Sequence, residues 1–226
     1  NQVNPHFLFN SLNVLISEIK HNPKTAEAFT RKLSKVYRYV LQSKNHDLIS
    51  LKKELEFIDS FIFLHKVRIG DALEYSVNIS DEIVQMQIPP LTLQILIENA
   101  IKHNIANEEN VLKISIASDG DNKIIVSNNL QAIESADSTY TGLSNLSKRF
   151  ELLKKDGFSY GEQEENFVVT IPLINDLAFG ISEISDMLKS SFPASSICTS
   201  IFASALYILS NSLATSTVLP DKPSAT

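Results

Sequence analysis

Residues 50–79 read SLKKELEFIDSFIFLHKVRIGDALEYSVNI, and a change of pattern within this stretch decides the fold class. Up to Arg68 the apolar residues recur at helical spacing, whereas after Gly70-Asp71 they alternate from Leu73 to Ile79. Helical spacing predicts a helix with one buried face, and alternation predicts a half-buried strand. An α+β chain is therefore expected, in which a helical part is followed by a part that contains a sheet.

Two further helices are predicted before this stretch. Apolar residues at helical spacing predict one helix from Pro5 and another from Lys24 to about Lys44, with a break at Asn22-Pro23. With the helix from Ser50 to about Arg68 they are expected to form a helical hairpin. Because such a hairpin cannot cover its own apolar faces, we expect a homodimer that completes a four-helix bundle.

Short alternating stretches and two more helices follow Gly70-Asp71. The predicted strands are Leu73 to Ile79, Val111 to Ala117, Lys123 to Ser127 and Phe167 to Leu173, and the predicted helices are Leu91 to Asn104 and Leu143 to Lys155. Strands gathered with a few helices on one side predict an α/β sandwich. The polar stretch from Leu130 to Thr141 has no usable periodicity and is expected to be a mobile loop.

Composition excludes several classes of function. With 226 residues, 43% of them hydrophobic, the chain can bury one or two ordinary cores. Its formal net charge of −6 argues against direct binding to nucleic acid. The single cysteine, Cys198, excludes an internal disulfide and a cysteine-rich metal site, and it suits the cytoplasm. The start at Asn1, without an initiator Met or a leader, predicts a fragment of a longer protein.

The residues after about Asn175 form a third region of unknown role. No charged residue occurs from Ser190 to Pro220, but the strongest apolar block, Ile201 to Leu209, is far shorter than the roughly 20 residues that cross a bilayer. A real extension, a disordered end, a product of an altered reading frame and a weak membrane segment are the alternatives. The predicted domains are thus residues 1–70, 71–174 and 175–226.

The first motif that carries chemistry is NPHFLFNSLN, residues 4–13. Pro5 suits the first position of a helix and puts His6 in the opening turn, on a polar stripe that includes Asn10. A neutral imidazole is a competent nucleophile toward phosphorus near neutral pH. The alternative is a solvated histidine near a helix start.

The second motif is PPLTLQILIENAIKHN, residues 89–104, a helix that is apolar first and then polar. Asn99, Lys102 and His103 project from one face of this helix. An amide oxygen suits Mg²⁺, which shares oxygen ligands with nucleotide phosphates, and the two basic residues could meet the phosphate oxygens. The alternative is a surface helix end with an ion pair between Glu98 and Lys102.

The third motif is TYTGLSNLSKRF, residues 139–150, in which a polar loop ends at Gly142 and a helix begins. Helix starts offer unsatisfied backbone N–H groups, and a glycine lets a phosphate come close to the backbone. An ordinary loop-to-helix junction is the alternative.

In this order and at these separations, the three motifs resemble the LytS-like family of bacterial sensor histidine kinases over about residues 1–173. NPHFLFN at residues 4–10 resembles the phosphoacceptor signature, LIENAIKH at 96–103 the N box, and TGLSNL at 141–146 the second glycine box. The resemblance implies a dimerisation and phosphotransfer domain joined to an ATP-binding domain of the fold shared by gyrase, MutL and the histidine kinases.

The resemblance also implies a role for each matching residue. His6 would accept the phosphoryl group, Glu98 would orient the attacking imidazole or a water, and Asn10 would complete the catalytic set. The residues implied to bind ATP are Asn99, which would also hold Mg²⁺, and Lys102, His103, Asn128, Gly142, Leu143 and Asn145.

This chain departs from the family pattern at two positions, and from many other histidine kinases at a third. The adenine-recognition box usually reads Asp-Asn-Gly, whereas Asn128 and Leu130 stand here for the Asp and the Gly. Asn128 still offers an amide oxygen to the adenine amino group, without the charge that strengthens such a bond. Phe7 stands where many other histidine kinases have an acidic residue after the phosphoacceptor, so a general base is absent at that position.

The implied function is that of a transferase that phosphorylates its own His6 from ATP and passes the phosphoryl group to an aspartate of a response regulator. That regulator is expected to be of the LytTR type. The chain would be the cytoplasmic part of an inner or plasma membrane protein whose membrane contact lies in the missing N-terminal portion. Two alternatives remain: a degenerate kinase that acts as a non-catalytic dimeric signalling module, and a clamp ATPase of the same fold, which would not need the Pro5-His6 helix.

Overall fold

Two helices at the start of the chain form the predicted hairpin. The computed structural model describes residues 5–43, 46–131 and 141–175; in it α1 covers Pro5–His21 and α2 covers Pro23–Ser43. Asn22 separates them and caps α2, because its side-chain oxygen accepts the N–H of Thr25 at 3.2 Å. Phe7 lies near the start of α1 and Tyr37 lies in the second half of α2, and their ring centroids are 6.5 Å apart. The helices therefore run antiparallel, and the predicted break is confirmed.

A third helix, α3, covers Leu51–Ile69 and contacts both the hairpin and the sheet part of the molecule. Ser50 caps its start by accepting the N–H of Lys53. Gly70 ends it with a φ of 71°, a conformation that glycine adopts without steric cost. The helix buries side chains around most of its circumference, so it lies between partners on more than one side.

The described chain after α3 contains a five-stranded mixed sheet. In chain order, the strands are β1 (Ile49–Ser50), β2 (Leu73–Asn78), β3 (Gln87–Ile88), β4 (Leu112–Ser118), β5 (Lys123–Asn129), β6 (Ser159–Gln163) and β7 (Asn166–Pro172). The large sheet has the order β2-β4-β5-β7-β6, with β2 parallel to β4 and the other neighbours antiparallel. The accompanying helices are α4 (Thr92–His103) and α5 (Thr141–Leu152).

A short two-stranded pair joins the start of α3 to the segment before α4. Ile49 of β1 lies opposite Ile88 of β3, and Ser50 lies opposite Gln87. Strands of two residues are too short to show an alternating pattern, so the sequence did not predict them. The division of the chain into domains at residue 70 stays a prediction. In the structure α3, which ends before residue 70, contacts β2 and α4, which follow it.

One hydrophobic core connects the helices with the inner face of the sheet. Along β4, the buried residues Leu112, Ile114 and Ile116 alternate with more exposed ones, which is the pattern of a strand with one covered face. The same core contains Leu93, Leu96 and Ile97 of α4. Packing of this apolar half against the sheet leaves the polar end of α4 at the edge of the core.

The remaining predictions about organisation have different outcomes. The predicted helices and four long strands are confirmed, with ends that differ by a few residues. β6 was missed because Ser159–Gln163 is mostly exposed and does not alternate. Across residues 5–43, 46–131 and 141–175, no helix has the length and hydropathy that a membrane span requires. The predicted loop is undescribed from 132 to 140, and the uncharged run from 190 to 220 also lies outside the described residues.

Candidate active site

A cleft of about 500 Å³ lies where α1, the end of α3 and α4 meet. His6 and Asn10 line it from α1, and Glu98, Asn99 and Lys102 line it from α4. The sequence predicted a role for all five residues, but two separate motifs supplied them. The structure brings these two motifs to one cavity.

His6 is exposed in the first turn of α1, and Asn10 lies one turn further along. The amide nitrogen of Asn10 is 3.3 Å from Nδ1 and 3.2 Å from Nε2 of the His6 ring. Because these distances are nearly equal, the amide lies over the face of the ring and not in its plane. The Asn10 amide therefore leaves the in-plane direction of approach to the ring nitrogens open.

Phe7 fixes the position of α1 at the cleft. Its ring centroid lies 5.3 Å from that of Phe61 and 5.7 Å from that of His65, both on α3. The residue after His6 thus packs against neighbouring aromatic rings, where many histidine kinases have an acid. A general base for His6 has to come from another part of the cleft.

Glu98 is the carboxylate that α4 presents to the cleft. Burial raises its pKa above the ordinary value, and a hydrogen bond from Gln94 Nε2, 3.1 Å from Oε1, opposes that rise. A carboxylate whose pKa is moved toward neutrality is better suited to take up a proton near pH 7 than an exposed one.

Asn99 lies beside Gly142, so the structure brings the second and third motifs together. A Cβ at Gly142 would be 3.1 Å from Cγ2 of Ile95 and 3.7 Å from Nδ2 of Asn99. The absence of a side chain there leaves the Asn99 amide accessible. The residues fit Mg²⁺ carried by a nucleotide, because this ion takes one or two protein oxygens and completes its shell with phosphates and water. Among the described residues, no group of three or more His, Cys, Asp or Glu could hold a metal ion.

The two basic residues at the end of α4 differ in their surroundings. Lys102 is exposed and lines the cleft, whereas His103 is half-buried and is not among the lining residues. Burial and the neighbouring Lys102 charge lower the pKa of His103. The predicted contact of His103 with phosphate stays a prediction.

Three residues that the resemblance implies to bind ATP, Asn128, Leu143 and Asn145, are not among the residues that line the cleft. Asn128 on β5 is buried, and its Nδ2 donates to the backbone oxygen of Asn129 at 2.8 Å. Leu130 replaces the family glycine and donates its N–H to the Glu165 oxygen at 2.8 Å. On α5, Leu143 lies in the core and Asn145 is exposed. The roles of Asn128, Leu143 and Asn145 stay predictions.

Two residues of α3, His65 and Arg68, also line the cleft, and the sequence analysis gave neither a role there. Their spacing of three residues puts them on one helix face, and His65 interrupts an otherwise apolar run. That interruption was the available signal. Without the fold, a histidine on an apolar helix face does not point to a particular cavity.

The sequence analysis also missed Glu54, a fully buried carboxylate that positions α4. Its oxygens accept the N–H groups of Leu91 at 3.2 Å and Leu93 at 3.0 Å, and they accept the Tyr39 hydroxyl. Acceptors at a helix start satisfy N–H groups that have no partner within the helix. Glu54 thus connects α2 and α3 to the start of the helix that carries Glu98 and Asn99.

Comparisons with known proteins agree with the motifs. The family described as histidine kinase matches residues 1–73. The sensor histidine kinase YpdA of Escherichia coli (strain K12) is 41% identical over 121 residues, which are 53% of this chain and 21% of YpdA. The sensor histidine kinase/phosphatase LytS of Staphylococcus aureus (strain Mu50 / ATCC 700699) is 31% identical over 167 residues, 66% of this chain and 29% of that protein. The chain therefore spans less than a third of the length of either relative.

A solved structure of the Acinetobacter baumannii histidine kinase AdeS overlaps 76% of this chain and 98% of its own, with a TM-score of 0.39 and 14% identity. The three motifs and the family model matched over residues 1–73 both point to the histidine kinases. Within that class its relatives are the LytS-like sensor kinases, and the predicted resemblance is confirmed.

Proposed function

We propose that the chain is the catalytic region of a two-component sensor kinase that transfers the γ-phosphoryl group of ATP to His6. One observation carries the proposal: His6 lines the same cleft as Glu98, Asn99 and Lys102. Phosphoryl transfer depends mostly on positioning and on charge neutralisation, so the nucleophile and the phosphate-binding groups have to share one cavity.

The proposed step is an in-line displacement. A ring nitrogen of His6 forms a bond to the γ-phosphorus while the bond from that phosphorus to the bridging oxygen breaks, and ADP leaves with the electron pair. Glu98 takes the proton that the imidazole loses, which suits a carboxyl group of raised pKa. Asn10 holds the ring of His6 in its orientation.

The residues of α4 and α5 would bind the nucleotide. Asn99 would hold Mg²⁺ through its side-chain oxygen, and the ion would supply charge neutralisation at the phosphates. Lys102 supplies a point charge for phosphate oxygens, and Gly142 lets them approach. Asn128 would accept a hydrogen bond from the adenine amino group through its amide oxygen.

The proposed partners are a second copy of the chain and a response regulator. Phe9, Leu12, Ile16 and Ile19 of α1 are exposed at helical spacing and form an apolar face that a second hairpin would cover in a four-helix bundle. The regulator, proposed to be of the LytTR type from the family resemblance, would receive the phosphoryl group on an aspartate. In this proposal the chain works in the cytoplasm, as part of a protein anchored to the membrane outside residues 1–226.

The test is transfer of label from ATP carrying ³²P at the γ position, with Mg²⁺, to the parent chain and to His6→Gln. The matched control is His21→Gln, since His21 is an exposed histidine at the other end of α1. We expect acid-labile, base-stable label on the parent and the control and none on His6→Gln.

Two results would contradict the proposal. Label that remains on His6→Gln would exclude His6 as the acceptor. If no protein is labelled while calorimetry shows that ATP binds, the result favours the alternative, a non-catalytic dimeric signalling module.

A further inference from the structure

The end of α3 contributes a wall to the cleft that the three motifs do not describe. His65 and Arg68 line it together with His6, Asn99 and Lys102. They come from a helix that carries none of the predicted site residues. Their place in the same cavity as the phosphoacceptor gives them access to a group that reaches His6.

The charges around the cleft suit an anion. Arg68 and Lys102 are both exposed cations, and Glu98 is the carboxylate among the lining residues. Within the described part of the chain, neither cation lies within 4.0 Å of a carboxylate oxygen. A cavity that holds more positive than negative charge concentrates phosphate ligands, and a guanidinium fork can donate two parallel hydrogen bonds to one phosphoryl group.

The tautomer of His65 follows from its contact with Arg68. Nη2 of Arg68 is 3.4 Å from Nδ1 of His65, and because a guanidinium can only donate, Nδ1 must be the acceptor. Burial, with a smaller contribution from the Arg68 charge, lowers the pKa of His65 to about 4, so the ring is neutral near pH 7. Its remaining proton is therefore on Nε2.

Nε2 of His65 has no hydrogen-bond partner in the described part of the chain, and the residue is only 8% exposed. The ring is held by Phe61, with centroids 4.6 Å apart, and by Phe7, so it cannot turn freely to water. The His65 ring is therefore fixed in place, with Nδ1 toward Arg68.

We propose that Arg68 binds the phosphoryl group as it passes to His6, and that His65 is the positioning residue that holds the Arg68 guanidinium toward the cleft. The inference rests on the proposed kinase function and adds α3 to the site. Arg68 forms and breaks no covalent bond in the step; it stabilises charge on the phosphoryl oxygens while the His6 nitrogen replaces ADP at phosphorus. Asn99 and Lys102 bind the nucleotide in its resting state, so the contribution of Arg68 concerns the rate of transfer and not the affinity for ATP.

The decisive variant is Arg68→Gln, compared with the parent, with Arg68→Lys and with Arg31→Gln. Arg31 is the matched control, because it is an exposed arginine on α2 that pairs with Glu27. At saturating ATP we expect Arg68→Gln to label His6 about 100-fold more slowly, while the calorimetric Kd for ATP stays within about threefold of the parent value. Arg68→Lys should recover part of the rate, since it restores the charge without the fork.

A second variant tests the role of His65. His65→Phe keeps a ring between Phe7 and Phe61 but removes the acceptor for Arg68. We expect labelling about tenfold slower at a temperature where circular dichroism shows the variant folded, and no additional loss when His65→Phe is combined with Arg68→Gln. A purely structural role would move the thermal midpoint and leave the rate of the folded protein unchanged.

Three outcomes separate the hypotheses. A parental rate in Arg68→Gln overturns the role of Arg68 while the kinase function stands. The same holds if the loss of rate in Arg68→Gln is matched by an equal loss of ATP affinity. Absence of label on the parent chain overturns the kinase function itself, and this proposal with it.

Discussion

Glu54 and Glu98 are both carboxylates whose pKa is raised by burial, yet their surroundings differ. Glu54 is fully buried and accepts hydrogen bonds from Tyr39, Leu91 and Leu93. Glu98 lines the cleft and, among the described residues, accepts one hydrogen bond, from Gln94. The oxygens of Glu54 are occupied by hydrogen bonds that hold helices together. Glu98 has oxygens left to accept a proton in the cleft that His6 also lines.

The comparison predicts that stability depends on Glu54 and turnover on Glu98. The largest expected effect is that of Glu54→Ala, which removes the acceptor of the Tyr39 hydroxyl and of two N–H groups at the start of α4. We expect the free energy of unfolding to fall by about 4 kcal/mol, measured by urea denaturation. Glu56→Ala, an exposed change on the same helix, is the control, and equal losses in both variants would contradict the structural role of Glu54.

The second prediction concerns the pH dependence of stability. Burial raises the pKa of Glu54 to about 7 against the opposing hydrogen bonds from Tyr39, Leu91 and Leu93. The folded state therefore binds the proton more tightly than the unfolded chain, so this group's contribution to the free energy of unfolding falls as pH rises from about 5 through 7. The expected loss is roughly 3 kcal/mol, and it levels off above pH 7.

His65 changes the free energy of unfolding with pH in the direction opposite to Glu54. Its pKa is lowered to about 4, so its contribution to stability rises with pH as the unfolded histidine loses its proton. The difference between the parent and Glu54→Gln isolates the Glu54 contribution. A pH profile of urea midpoints that is the same in both proteins would show that Glu54 does not titrate in this range.

The third prediction concerns the role of Glu98 in the rate of phosphoryl transfer. Glu98→Gln should slow labelling of His6 about 100-fold, equivalent to about 2.7 kcal/mol of barrier, because an amide cannot take up the imidazole proton. The stability should change by less than about 0.5 kcal/mol, since the new amide oxygen still accepts the Gln94 bond. Glu108→Gln, in the exposed segment after α4, is the control, and a parental labelling rate in Glu98→Gln would remove the residue from the mechanism.

The smallest expected effect is on the affinity for ATP, and it concerns Gly142, which lies beside Asn99. In Gly142→Ala the new Cβ meets Cγ2 of Ile95 at 3.1 Å, so Ile95 has to shift, and it comes into contact with the Asn99 amide at 3.7 Å. We expect ATP to bind about fivefold more weakly by calorimetry, or about 1 kcal/mol. Gly161→Ala is the control, because a Cβ there meets nothing within 4 Å. Unchanged affinity in Gly142→Ala would show that ATP does not need the space beside Asn99 that Gly142 leaves open.

The periodic segments were predictable because their patterns are local. Long runs at helical spacing define α1, α2, α3 and α4, and alternation defines β4, β5 and β7. β1 and β3 depend on each other, and neither has a pattern of its own. β6 is an exposed edge strand whose pairing with β7, and not its own residues, makes it a strand.

The cleft was predictable in part. The motifs singled out His6, Asn10, Glu98, Asn99 and Lys102, and the family resemblance assigned them to one reaction. That they line one cavity, with Gly142 against Asn99, is a property of the fold. His103, Asn128, Leu143 and Asn145 do not line that cavity, and no local pattern separates them from the residues that do.

By itself the sequence determined the classes of the long elements, the order of the three motifs and the family to which they point, since each depends on residues that are close along the chain. The tertiary structure alone decided which residues of α1, α3 and α4 share a cleft and how much each is buried. It placed His65 and Arg68 in the wall of the cleft that His6 lines, and three donors around Glu54. The physical reason is that desolvation and hydrogen bonding between distant segments depend on which surfaces meet, and that is settled only when the whole core packs.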